Sequence, residues 1–134
     1  MDIRTKAVSL TGKLHLHDAA EELMYAENGQ PVCVNLYGPG SKQYAKAVAR
    51  QQNRMMDLLK RKGKADQTAE QKRAENAQFL ADCTESFENL TYDDLTGDAL
   101  KQAVYADQTI GFIADQVAKY IGDWSNFSKP AATN

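Results

Sequence analysis

Two histidines two residues apart, His15 and His17, followed directly by Asp18, are the first residues whose types could do chemistry. On a strand both rings point to one face, and imidazole nitrogens beside a carboxylate suit a divalent metal. A protein zinc site needs at least three such side chains, and no third convincing ligand stands nearby in the sequence. Solvent-facing strand histidines are the preferred reading. The run YGPGSK (Tyr37–Lys42) offers glycines ahead of a basic stretch, where backbone N–H groups could capture an anion. The phosphate-loop pattern, GxxxxGK followed by Ser or Thr, is absent, and Pro39 removes one of the donors such a loop would use. A strand-to-helix turn is the expectation. The acid pairs Glu21-Glu22 and Asp93-Asp94 have no base, nucleophile or glycine-rich pocket beside them. Cys33 and Cys83 lie far apart without CxxC or metal-ligand spacing, and read as reduced thiols used as small hydrophobes. The chain reads as a non-enzyme with no cofactor and no metal.

Charge is the other source of chemistry. Residues 1–64 carry 11 Lys and Arg against 6 Asp and Glu, whereas residues 65–134 carry 5 against 12. The formal net charge of −2 therefore conceals a basic half and an acidic half. Lys42, Lys46, Arg50, Arg54, Lys60, Arg61, Lys62 and Lys64 stand against the single acid Asp57. Such a stretch attracts an acidic partner, another copy of the chain, or the chain's own acidic half. Phosphates are the rival target, with Gln51, Gln52 and Asn53 available for base edges. The sequence pI of about 5.7 lies far below the basic values usual for nucleic-acid-binding domains, so nucleic acid is disfavoured as a partner.

These residues need elements to position them. At 134 residues the chain suits one domain with a modest core, and 43% hydrophobic and 25% charged residues are ordinary for a globular protein. No apolar run approaches the roughly 20 residues of a membrane helix. The start, MDIRTKAVSL, has too short an apolar stretch for a signal peptide. The expected location is the cytoplasm, with no membrane partner.

LHLH (Leu14–His17) alternates as a half-buried strand does, Asn28-Gly29 is a turn signal, and Val32, Val34 and Leu36 share one side of a second strand. A small β-hairpin over residues 1–40 is expected. Ser41 is a plausible N-cap for a helix over 42–62, with Tyr44, Val48, Met55 and Leu59 as its apolar stripe and Gly63 as its stop. Thr68-Ala69-Glu70-Gln71 fits a capping box opening a second helix to about Thr84, with Ala69, Phe79, Leu80 and Cys83 inward. After scattered anchors Phe87, Leu90, Tyr92 and Leu95, a short helix runs from Thr96 or Asp98 to Tyr105. Asp107 caps a last helix whose stripe is Ile110, Ile113, Val117, Ile121 and Trp124, so Trp124 is expected to be at least half buried. The fold class expected is mainly α with a small N-terminal β-hairpin (α+β): a long antiparallel helix pair plus two shorter C-terminal helices. Residues 1–127 form the single domain, 41–127 its helical region, and 128–134 a disordered tail.

The runs VCVNLYGPGSKQYAKAVARQQNRMMDLLK (Val32–Lys60), FLADCTESFENL (Phe79–Leu90) and YADQTIGFIADQVAKYIGDWSNF (Tyr105–Phe127) resemble the tail assembly chaperones of long-tailed bacteriophages and prophages. In those proteins a strand, a Gly-Pro-rich turn and a basic helix follow one another, and a last helix ends in an aromatic-rich motif. The resemblance covers roughly residues 30–127 and implies a non-enzymatic protein of virion morphogenesis. It would bind the tape-measure and tail-tube proteins in the bacterial host cytoplasm and be absent from the finished particle. Self-association is a further partner expectation. The residues expected at a partner surface are Tyr105, Ile110, Phe112, Tyr120 and Phe127, with Lys46, Arg50 and Arg54 of the basic helix. The alternatives are a small nucleic-acid-binding or regulatory protein using helix 42–64, and a structural tail-completion protein.

Overall fold

The computed structural model describes residues 1–62 and 68–128. In chain order come β1 (Thr11–His15), β2 (Cys33–Tyr37), α1 (Lys42–Lys62), α2 (Ala69–Asp82), β3 (Thr84–Glu88), α3 (Gly97–Ala106) and α4 (Gly111–Ile121). Short 3-10 turns lie at Ile3–Lys6, Gln108–Ile110 and Trp124–Phe127. The fold is α+β, as expected, but its sheet has three antiparallel strands in the order β1-β2-β3 rather than two. The expected stop at Gly63 and all of the expected disordered tail except Ser128 lie outside the described residues.

The third strand takes up Thr84, expected as the end of the second helix, and Phe87, expected only as a scattered anchor, and its bulge explains why alternation hid it. Asn35 pairs with Ser86 while Leu36 pairs with Thr84, leaving Glu85 as the extra residue. Thr84 and Phe87 therefore both face inward although three apart, a spacing that does not read as a strand. The β1–β2 connection also departs from a simple hairpin. Asp18 Oδ1 accepts from the N–H groups of Ala20 and Glu22, closing one turn, and Asn28-Gly29 closes a second. Gly29 has φ of +83°, the left-handed region that glycine enters without a Cβ clash.

Helix starts follow the local chemistry. The Ser41 hydroxyl accepts from the Tyr44 N–H at 3.1 Å and donates to the Gly38 carbonyl at 2.8 Å, fixing the turn that opens α1. Thr68 and Gln71 form the complete capping box of α2. Helices α1 and α2 run antiparallel: Arg54 meets Glu75, and Arg50, one turn earlier, meets Asp82 further along α2. The inward residues of α2 are Ala77, Leu80 and Ala81, while Ala69 is exposed. On α1 the buried position is Ala47, with Tyr44, Val48, Met55 and Leu58 half-buried, and Leu59 turns outward.

One face of the sheet carries the core. Leu16, Val34 and Leu36 pack with Leu80, Val104, Ile113, Val117 and Ile121. Phe87, Leu90 and Tyr92 pack on its margin, as expected of them, while Leu95 is exposed. Within the core the Thr84 hydroxyl donates to the Leu80 carbonyl at 2.8 Å and lies 2.6 Å from the Tyr105 hydroxyl, so the two buried hydroxyls satisfy each other.

The chain end overturns the expectation for Trp124, which is 57% exposed, while Phe127 is completely buried. The stripe of α4 stops at Ile121, because the helix ends at Gly122. Asp123 then accepts from the Ser125 N–H and hydroxyl, starting a tighter turn of about three residues per revolution. That change of pitch swings Trp124 outward and brings Phe127 onto the sheet. The ring lies over Gly12 and Gly38, where a Cβ would stand 2.8 Å and 2.6 Å from its atoms. The Ser9 N–H donates to the Phe127 carbonyl at 2.6 Å, tying the two ends of the domain together.

Phe127→Ala is expected to lower stability by about 3–5 kcal/mol, the usual loss for a packed aromatic. Gly38→Ala forces the ring to move and should cost about 1–3 kcal/mol. Trp124→Ala should change stability by roughly 0.5 kcal/mol or less. Urea unfolding of the three variants checks the order; Trp124→Ala as the most damaging would contradict it.

Candidate functional site

The expected partner residues separate into two groups. Tyr105 and Phe127 are buried in the chain's own core, so neither belongs to an exposed surface. Ile110 is half-buried against the same core. Phe112 and Tyr120 are likewise partly buried against that core, and their remaining surface lines one groove between α4 and β1, with a volume of about 600 Å³. The spacing that joins them is helical: Phe112, Gln116 and Tyr120 recur every four residues along the flank of the buried stripe.

This groove is built against the outer edge of β1. The register of β1 on β2 turns the backbone groups of Leu10, Gly12, Leu14 and Leu16 toward β2, which leaves those of Lys13, His15 and His17 facing outward. Gln116 seals the far end: its side-chain oxygen accepts from the His17 N–H at 2.8 Å and its amide donates to the His17 carbonyl at 2.7 Å. The Tyr120 hydroxyl donates to the Lys13 carbonyl at 3.3 Å. Two side chains of one helix thus occupy sites that a neighbouring strand would otherwise take. Leu14 and the two aromatics form the apolar floor, and Asp18, Glu21, Asp115 and Asp123 stand on the rim with Lys119 and His17. Burial pushes the Tyr120 phenol above its ordinary range, consistent with a ring set down into the wall.

The histidines are not a free pair. The His15 ring nitrogen Nε2 lies 2.8 Å from the Met24 carbonyl, and the ring packs edge-on against Tyr25 at 5.0 Å. Among the described residues no three His, Cys, Asp or Glu side chains gather as metal ligands would. The turn at Gly38–Ser41 is a strand-to-helix turn whose serine is already bonded within it.

The basic helix is divided as well. Arg54 holds Glu75 in a two-pronged bond, 2.8 Å through Nε and 2.7 Å through Nη2, and reaches Asp82 at 3.7 Å. Arg50 lies 3.9 Å from the same Asp82. The Glu75 bond, more than any other contact, holds the Arg54 guanidinium above its ordinary pKa. Arg54 is therefore engaged by the acidic half of its own chain, whereas Arg50 and Lys46 are exposed, Arg50 standing near Asp82 without a hydrogen bond to it. Sequence reasoning missed Leu14, Gln116 and the acidic rim, because the groove exists only once α4 lies along β1. The available signal was the polar-aromatic flank of the α4 stripe.

Both thiols are buried. Burial first, and Asp82 second, push the Cys83 thiol up to about 12, and burial also raises Cys33. No family model, curated protein or solved structure matches the chain.

Thiol chemistry should report this burial. At pH 8 neither cysteine is expected to react with a disulfide reagent until the chain unfolds, when both react. Folded Cys83 keeps its proton to about 12, whereas an unfolded thiol releases it near 8.5. The unfolded state thus binds fewer protons above about pH 8.5, and stability should fall as pH rises from there toward 12. Rapid native-state labelling of Cys83 would contradict the burial.

Proposed function

We propose that this chain is a tail assembly chaperone of a long-tailed phage or prophage, holding tape-measure and tail-tube proteins in the host cytoplasm before assembly. The observation that carries the reading is the similarity of the run Tyr105–Phe127 to that family, taken with the open groove that two of its residues, Phe112 and Tyr120, line. Unassembled tube and tape-measure segments expose apolar surface that aggregates unless it is covered. A cover that is later displaced needs a small patch with a few aromatic anchors, not an extensive interface. Partly exposed Phe112 and Tyr120, with exposed Trp124 nearby in the chain, supply such anchors. Tyr105 and Phe127 contribute by fixing the helices that present them.

The nucleic-acid alternative draws less support from the geometry. Arg50 and Arg54, central to the basic stretch, face carboxylates of α2. Contacts to phosphate would have to compete with a two-pronged Arg54–Glu75 bond that is already formed.

Co-expression with the tail proteins encoded beside this chain tests the proposal. The wild type is expected to keep at least one of them soluble and to retain it in a pull-down, with Phe112→Ala/Tyr120→Ala retaining several-fold less. Failure of the folded wild type to retain any tail protein would overturn the proposal. Recovery of the chain from purified particles would favour a tail-completion protein instead. Tight binding to duplex DNA at about 50 mM salt, falling steeply as salt rises, would favour the nucleic-acid reading.

A further inference from the structure

We propose that the groove between β1 and α4 docks an extended segment of a partner polypeptide in which leucine-sized apolar side chains alternate with lysine or arginine. The proposal deepens the partner-holding reading and rests on it, because it gives that partner a chemistry and a seat.

Three observations select this occupant. The floor is apolar and partly exposed, formed by Leu14, Phe112 and Tyr120, so it offers area that an apolar side chain would cover. The rim is acidic: four carboxylates, those of Asp18, Glu21, Asp115 and Asp123, stand with one lysine, Lys119. Charges spaced within a Debye length of about 10 Å attract a cationic segment together and repel an anionic one. The strand edge beside the floor is only partly sealed. Gln116 already makes strand-like bonds with both His17 backbone groups, which shows that this edge accepts a partner in that geometry. The next outward pair, the His15 N–H and C=O, takes no bond from any described residue. An extended segment laid along the groove sends alternate side chains to the floor and to the rim. The chain's own Arg54 does not supply the cation, since it is committed to Glu75.

The test uses a fluorescein-labelled ten-residue peptide of alternating leucine and lysine, with a leucine–glutamate peptide of the same length as its counterpart, and reads anisotropy against folded protein. Saturable binding of the lysine peptide is expected, at least about tenfold tighter than the glutamate peptide and weakening as salt screens the rim. Glu21→Lys/Asp115→Lys, two exposed positions, should weaken it about tenfold or more, and Phe112→Ala should weaken it several-fold. Asp57→Lys, a single charge reversal on exposed α1 surface, should leave affinity unchanged, and circular dichroism with thermal melting confirms that each variant is folded.

Equal affinity for both peptides, no saturable binding, or indifference to the groove variants would overturn the proposal. So would a dimer, seen by sedimentation, that the Glu21→Lys/Asp115→Lys variant dissolves while peptide binding persists, since the occupant would then be a second copy. Retention of tail proteins without peptide binding removes the groove assignment and leaves the chaperone reading standing; peptide binding without retention of any tail protein removes the chaperone reading alone.

Discussion

The packing of Phe127 on Gly12 and Gly38 is the contact on which the rest of the arrangement depends. Neither glycine can carry a Cβ without driving it into the ring, so β1 and the residue just after β2 lack side chains at this point to admit one aromatic from the far end of the sequence. The ring in turn meets Tyr120 edge-on at 5.3 Å. Through that stack the end of the chain holds the last turns of α4 against β1. The Lys13 carbonyl then comes within reach of Tyr120, and the His17 backbone, further along, meets Gln116. A groove walled by a helix on one side and a strand edge on the other is the geometric consequence.

That arrangement also manages the edge of the sheet. An outer strand exposes a row of N–H and C=O groups that invite pairing with other chains. Here α4 answers part of the row with side chains and leaves part open, an intermediate state between a sealed edge and a sticky one. On the solvent face of the sheet, Lys13, Asn35, Ser86 and Glu88 form a cross-strand polar network instead. The Asn35 bond, with Lys13 second, holds the Glu88 carboxyl below its ordinary range. Its ion pair, Lys13 with Glu88, is open to water, so the network contributes less to stability than to setting which residues of β1, β2 and β3 face one another.

The charge division of the sequence finds its use between α1 and α2. Arg54 and Arg50 from the basic half meet Glu75 and Asp82 from the acidic half, fixing the antiparallel register of the two helices. Arg54 is only about one-third exposed and its partner less, so screening by water is partial there. What α1 still turns outward is the cations at its two ends and Lys46, with Arg54 withdrawn into its pair with Glu75, while the acidic surplus beside α4 is left facing outward.

Local order was legible in the sequence wherever a short-range rule governs it. Ser41 and the Thr68–Gln71 box announced the starts of α1 and α2, Asn28-Gly29 announced a turn, and the stripe from Ile113 to Ile121 announced the buried face of α4. What the sequence could not announce were features created by an irregularity in period. One bulged residue, Glu85, broke the alternation of β3, and one change from α to 3-10 winding after Gly122 exchanged the fates of Trp124 and Phe127. The candidate site was legible only as two aromatics, Phe112 and Tyr120, on a helix flank. Its floor residue Leu14, its strand edge and half of its acidic rim, Asp18 and Glu21, come from a segment about a hundred positions away in the chain. Side-chain periodicity is a property of one element at a time, so a surface shared by α4 and β1 was decided only when tertiary packing laid the one along the other.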